Sequence, residues 1–487
     1  MKLGEIRRLL GSQERSTRAA VDLSEREPLG YSIDSRSLRA GELFFAIKGE
    51  NRDAHRFVDD ALRRGALGAV VTGEFLASSS QADTGVEAWL LPVADTLAAL
   101  QSLAASVRGS WRGREVAITG SVGKTSTKEL TASTLDRIGR VNRTTGNLNN
   151  EYGLPLSILK MESDGAHAVD FDYAVLEMGM NHKGEIARLA KIAPPDVGAV
   201  TNVAPVHLEF FDSIEGIAAA KAELVLGIKS GGFAVLNADD ALVAGMKQLR
   251  DDIRVHTFGI QREAAVRARR IEDKGLGGTR FALQTPRGEV DVVLPLAGRH
   301  QVYNALAAAA VADVCEVPLE AISDALAEAS SPKMRGEVTR FARGFTLVDD
   351  SYNSNPRALI EMVTTIAASE GFKRKIVVAG EMLELGETSA ELHRVTGRRL
   401  AELGIDLLIG VRGFARELVE GAREAGISAG SAVFSETPEQ AAEIVAREAR
   451  AGDVILVKGS RGVKTEAVIA RLKEKFQEAD RRAERSE

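Results

Sequence analysis

The segment "AITGSVGKTSTKEL", residues 117–130, limits the fold more than any other stretch of this 487-residue chain. An apolar strand end runs into a short Gly/Ser loop, and Lys124 and Thr125 then open a helix. That order is how a backbone cradles a nucleotide triphosphate. Glycines let the chain approach phosphate oxygens, and the helix start offers free N–H groups and a positive dipole end. Gly120, Ser121, Val122, Gly123, Lys124, Thr125 and Ser126 are therefore the candidate ATP-binding residues. Lys124 would reach the β- and γ-phosphates, and Thr125 would offer a hydroxyl to Mg²⁺. An ordinary phosphate loop has a further glycine where this chain carries Ile118, so the loop reads as a shortened variant.

Such a loop needs a parallel sheet to present it, and the surrounding sequence supplies one. "EVAITG", "DYAVLEMG", "VGAVTNV" and "GFAVLNAD" are apolar strand segments separated by helical stretches such as "SIEGIAAAKAELVLGIK". Apolar strands interleaved with periodic helices predict a mostly parallel sheet covered on both faces. Residues 261–295 are more β-like and predict antiparallel ribbons, followed by the helix "QVYNALAAAAVADVC". The length predicts two to four domains, and the pattern divides into three. Residues 1–108 read as a small α/β unit, with "GELFFAIKG" as a strand and "TLAALQSLAASVRGSW" as an exit helix. Residues 109–331 form the phosphate-loop unit. Residues 332–487 repeat a Rossmann-like alternation through "FTLVDD", "KIVVAGE", "DLLIGV" and "DVILVKG". The fold class is α/β throughout.

Composition excludes several partners. A net charge of −6 gives no support to a nucleic-acid binder relying on a basic surface, while leaving room for local basic pockets. The single cysteine, Cys315, allows no internal disulfide and suits a reducing cytosol; its apolar neighbours predict a packed, inert thiol. The first residues lack the apolar core of a signal peptide. No apolar run reaches the roughly 18 residues a membrane helix needs. A cytoplasmic monomer acting on small molecules is the expectation.

Further candidates sit at strand ends, where open α/β sheets place ligands. Glu177 ends "DYAVLE" and could hold Mg²⁺ beside the loop. His207 follows "VGAVTNV" and could ligate metal or order the phosphate site. Lys221 lies among alanines on a helix, as a candidate site residue whose alternative is a snorkelling surface lysine. Asn147, Asn149 and Asn150 in "GNLNNEYGLPL" could read a polar ligand or simply form a turn. "VDDSYNSNPRA" and "VKGSRG" are polar loops after strands, with Arg335 and Lys458 as candidate anion contacts.

Together these segments resemble the Mur ligases, ATP-dependent amide-forming enzymes of peptidoglycan synthesis. The resemblance runs over nearly the whole chain: "DSR" (34–36) with "GELFFAIKGENRDAH", "TGSVGKTS" with its shortened loop, "EMGMNHKGEI", "HLEFFDSIEGIAAAKAEL", "GRHQVYNAL", "DDSYNSNP", "GEMLELGE" and "LVKGSRG". Within the family these segments imply addition of D-alanyl-D-alanine to UDP-MurNAc-tripeptide through an acyl phosphate, with ATP and Mg²⁺. The resemblance implies that Ser35 and Arg36 hold the UDP end. It implies that Asn304, Arg335 and Asp350 join the loop around ATP, and that Asn147, Asn149, Asn150, Tyr352, Asn353, Asn355, Lys458 and Arg461 contact substrates. Lys124, His207 and Lys221 would be catalytic. Thr125, Glu177, His207 and Lys221, the last as a carbamate, would surround the metal. Gln301, Ser354 and Glu381 depart from the family's usual asparagine, alanine and aspartate. The third-residue-adding relative is less similar, since "SNPRA" lacks the aspartate of its Asp-Asn-Pro-Arg motif and lies too early. A folate polyglutamylating ligase or a phosphate-loop switch are the other readings; no guanine-reading Asn-Lys-x-Asp segment occurs.

Overall fold

The computed structural model describes residues 1–12, 15–16, 23–49, 52–78, 89–205, 209–211 and 213–479. Three sheets follow one another along the chain. The first contains β1 (Arg15–Ser16), β2 (Tyr31–Ser32), β3 (Leu43–Phe45), β4 (Gly68–Thr72) and β5 (Trp89–Val93), in the order β1-β5-β4-β3-β2. "GELFFAIKG" thus shrinks to a three-residue strand, though all three residues are fully buried. Helix α1 (Thr96–Ser110) leaves this unit. The Asp95 carboxylate accepts the N–H groups of Leu97 and Ala98 and so starts it. Its Leu100, Leu103 and Val107 pack in one core with Leu154 and Ile158 of the second unit.

The second sheet holds β6 (Arg114–Thr119), β7 (Val141–Arg143), β8 (Tyr173–Glu177), β9 (Val197–Val200), β10 (Phe233–Asn237), β11 (Arg254–Gly259), β12 (Val266–Asp273), β13 (Thr279–Thr285) and β14 (Gly288–Leu294). Their order is β14-β13-β12-β11-β10-β9-β6-β8-β7. Neighbours from β7 to β12 pair in parallel, and β12-β13-β14 are antiparallel. The chain runs from β6 to the edge strand β7 and back to β8 on one side, and then crosses to β9 on the other. That reversal opens a crevice at the carboxyl end of β6, and the phosphate loop occupies it. Helix α2 (Lys124–Leu135) starts there. Helices α3 (Ile214–Leu226) and α4 (Arg299–Val314) also cover this sheet. The alanine-rich middle of α4 is buried, because small side chains let it lie close to α2.

The third sheet has the order β15-β16-β20-β17-β18-β19, built from β15 (Glu337–Arg340), β16 (Thr346–Asp350), β17 (Arg374–Gly380), β18 (Leu407–Val411), β19 (Ala432–Ser435) and β20 (Asp453–Lys458). All pairs are parallel except β15-β16. The short strands β15 and β19 carry charged or turn-like flanks and give no clear signal in the sequence. Helix α5 (Pro356–Ala368) begins with Asn355 as cap and proline at its first position. Cys315 is buried and unpaired, and burial pushes its thiol upward. Among the described residues no helix is long and apolar enough to cross a membrane.

Candidate functional site

The phosphate loop is held in shape before any ligand contact is considered. Gly120 and Gly123 have φ of +151° and +86°, the region that favours glycine. A Cβ at Gly120 would overlap Thr201 Oγ1, and one at Gly123 would overlap Asn304 Oδ1. The end of β9 buttresses the loop. Ser121 N–H donates to Asn202 O, Val122 N–H donates to Asn202 Oδ1, and Thr201 Oγ1 donates to Val122 O. Ser121 Oγ donates to Ala204 O at 3.1 Å. Thr201 and Asn202 were missed as site-shaping residues because nothing in "TNV" separates a buttress from a plain strand end.

Lys124 folds back, donating to Gly120 O at 2.8 Å and Ser121 O at 3.3 Å. Burial lowers its affinity for a proton, the Glu177 carboxylate opposes that, and the Arg335 guanidinium adds to it. Glu177, only 2% exposed, accepts from Thr125 Oγ1 at 2.7 Å through one oxygen and from Asn149 Nδ2 at 2.7 Å through the other. The three asparagines divide. Asn149 reaches the site. Asn150 Oδ1 accepts the N–H groups of Tyr152 and Gly153 and so shapes the turn before the helix Gly153–Leu159. Asn147 offers its carbonyl to Asn149 N–H. Asn304 Nδ2 donates to Gln301 Oε1, and Asn304 Oδ1 accepts from Thr127.

Lys221 on α3 is 2% exposed, so the reading as a surface lysine does not hold. Burial first, and the neighbouring Lys124 ammonium second, push its amine well below the ordinary lysine range. Among the described residues no hydrogen bond or ion pair reaches it. His207 lies outside the described residues.

The third unit supplies the opposite wall. A cleft of about 280 Å³ is lined by the loop residues 121–126, Asn149 and Glu177 on one side, and by Arg335, Asp350, Tyr352, Asn353, Asn355 and Lys458 on the other. Lys458 Nζ donates to Asp350 Oδ2 at 2.6 Å and to Asn353 O at 2.9 Å. The Arg335 guanidinium stacks 4.0 Å from the centre of the Tyr352 ring, which leaves its N–H edge available for an anion. Arg461 instead donates to Glu466 at 2.8 Å and does not line the cleft. A second chamber of about 760 Å³ adjoins the first, lined by Val122, Gly123, Asn202, Asp239, Tyr303, Asn304 and residues of α5. Ser35 and Arg36 line neither chamber. Ser35 is buried. Arg36 is 80% exposed and forks onto Asp34, at 2.9 and 2.7 Å, and this hydrogen bonding holds the Asp34 carboxyl at about 2.

Known proteins share this family of domains and this fold. Residues 118–312 match the Mur ligase middle domain, and residues 334–461 match the Mur ligase, glutamate ligase domain. The chain is 36% identical over 447 residues to the UDP-N-acetylmuramoyl-tripeptide–D-alanyl-D-alanine ligase of Escherichia coli, covering 91% of this chain and 93% of that one. A crystal structure of MurF from Acinetobacter baumannii superposes with a TM-score of 0.83 at 32% identity, covering 97% of this chain and 98% of the other. MurF ligase from Thermotoga maritima in complex with ADP gives a TM-score of 0.76 at 30% identity, covering 92% and 97%.

Proposed function

The chain belongs to the Mur ligase family, and we infer that it joins D-alanyl-D-alanine to UDP-MurNAc-tripeptide at the expense of ATP. It is a ligase of peptidoglycan synthesis. The observation that carries the mechanism is the cleft itself, which sets the phosphate loop of one unit against the cations and amides of another.

A carboxylate and an amine do not condense spontaneously near neutral pH, so the carboxylate must first be activated. The tripeptide's terminal carboxylate oxygen forms a bond to the γ-phosphorus as the bond to ADP breaks. The amine of D-alanyl-D-alanine then attacks the acyl carbon, loses its proton, and phosphate leaves with the former carboxylate oxygen. The first step brings two anions together, so cationic screening matters more than a covalent nucleophile. Lys124, once turned from the loop carbonyls, supplies one such charge and Arg335 another. Asn149 and Thr125 fix the rotamer of Glu177. The Lys458–Asp350 pair anchors the loop that carries Tyr352, Asn353 and Asn355. The second chamber is of a size and polarity suited to the base and ribose, with Asn304 at its wall.

The Thr125 hydroxyl and the Glu177 carboxylate, 2.7 Å apart beside the loop, are hard oxygen donors that fit Mg²⁺. A bound Mg²⁺ would screen the phosphate charge there. His207 and a carbamate on Lys221 would complete its surroundings. Ser35 and Arg36 would serve the UDP end, and Asn147, Asn150 and Arg461 remain substrate candidates at a distance from the cleft. The three units, 1–108, 109–331 and 332–487, would act on the UDP end, on ATP and on the dipeptide respectively, in a cytoplasmic monomer.

The test is ADP release with UDP-MurNAc-tripeptide and Mg²⁺, with and without D-alanyl-D-alanine, followed by the mass of the product. Release should need the nucleotide-linked peptide and accelerate strongly with the dipeptide. Fast hydrolysis with neither present would indicate a switch or motor.

A further inference from the structure

The turn between β12 and β13, Lys274 to Gly278, reaches out of the second unit and touches the third. Its Leu276 packs against the core formed by Val348, Leu359, Val363 and Ile366. Among the described hydrophobic side chains before Val338 it is the only one packed on that core. The backbone follows the side chain: Leu276 N–H donates to Ser369 Oγ at 3.0 Å, and Ser369 Oγ donates in turn to Thr365 O at 2.8 Å. Gly275, at φ +57°, brings its Cα against Ser369 so closely that a Cβ would overlap that side chain.

A second contact lies one helical turn away. A Cβ at Gly298, just before α4, would stand 2.8 Å from Thr365 Oγ1. Thr365 and Ser369 are four residues apart and share one side of the same helical stretch. The third unit is therefore seated on the second along one stripe at the carboxyl end of α5. The amino end of α5 is a different matter. It begins at Asn355 and Pro356, directly after the cleft residues Asp350, Tyr352 and Asn353. Thirteen residues of helix separate the two ends by about 20 Å. Because a helix is stiff over that length, seating one end sets where the other end lies.

We propose that Leu276 is a positioning residue for the ligation reaction. It keys the third unit onto the second through α5, and thereby holds the 350–355 loop against the phosphate loop. It touches no substrate. Thr365, the residue whose carbonyl takes the Ser369 hydroxyl at the Leu276 contact, also lines the 760 Å³ chamber, with Asp273, Thr364 and Ala368. Withdrawing the Leu276 side chain would loosen the nucleotide's surroundings while leaving the first unit's contacts as they are.

This assignment rests on the reading of the cleft as an ATP site, and the experiment separates the two. Full-length Leu276→Ala, Leu276→Met and Ser369→Ala proteins are compared with the unaltered chain. Steady-state ADP release gives KM for ATP and for UDP-MurNAc-tripeptide, and small-angle scattering without nucleotide gives the radius of gyration. Leu276→Ala should raise KM for ATP about tenfold and leave KM for the tripeptide unchanged. It should also enlarge the radius of gyration, and Leu276→Met should restore both. Ser369→Ala should move the same quantities in the same direction by less. An unchanged radius of gyration in Leu276→Ala overturns the proposal, as does an equal rise in both KM values. If the unaltered chain releases no ADP, the ligase reading fails, and the scattering comparison still decides whether Leu276 keys the units together.

Discussion

The two walls of the cleft are built in opposite ways. The phosphate-loop wall is contiguous in sequence, and its polar backbone is tied to β9 by hydrogen bonds within a single sheet. The facing wall is gathered from Arg335, the 350–355 loop and Lys458, the last more than a hundred positions from the others. The first wall is fixed by its own fold. The second depends on how one unit rests on another. Electrostatic catalysis needs groups preset at the reacting charge. Damage to the first wall should therefore remove activity without loosening the molecule, and damage to the second should affect assembly of the site as well.

The sharpest way to break the contrast is Lys124→Ala. Ligation should fall by about 10² to 10³ or more, while stability changes by about 1 kcal/mol or less, as thermal unfolding would show. Ligation at more than a few per cent of the original rate would remove the loop from catalysis.

Lys221 comes next. Carbamate formation consumes a neutral amine. The folded amine loses its proton at lower pH than an ordinary lysine, so the reactive fraction grows as pH rises through that lowered value. Lys221→Ala should be nearly inactive and partly rescued by a small carboxylic acid. Lys221→Arg should stay inactive because guanidinium remains charged. An active Lys221→Arg enzyme, or identical rates with CO₂ stripped and restored, would make Lys221 an ordinary buried lysine.

On the other wall, Lys458→Met leaves Asp350 without its partner in a largely buried place. A loss of about 3 kcal/mol of stability is expected, together with a raised KM for ATP, read from urea unfolding and ADP release. A loss of activity with no loss of stability would mean that this wall is as self-supporting as the first. The smallest effect is expected outside the cleft. Arg36→Ala should raise KM for UDP-MurNAc-tripeptide and leave KM for ATP alone; equal effects on both would take the first unit out of UDP binding.

The strand-loop-helix around Lys124, the parallel sheet and the ribbons of 261–295 were all legible, because each announces itself within a few neighbouring residues. Glu177 was legible from its place at a strand end. Local signals left three cases open. Lys221 could be read as a site residue or as a surface lysine, and only the fold, which buries it, removes the second reading. Asn149 and Asn150 are adjacent and chemically identical, yet one orients a carboxylate and the other makes a turn. Arg461 sits in a loop that the family resemblance places at a substrate, and it spends its guanidinium on Glu466.

By itself the sequence determined that this chain builds a phosphate-binding crevice on a parallel sheet. Glycine spacing, strand polarity and helix start are short-range properties that no distant contact needs to complete. Only the tertiary structure decided what faces that crevice. Whether Arg335 and Lys458 meet the loop depends on α5 and its seat on Leu276. Such a contact joins residues whose separation along the chain carries no periodicity, and it exists only once both cores have formed.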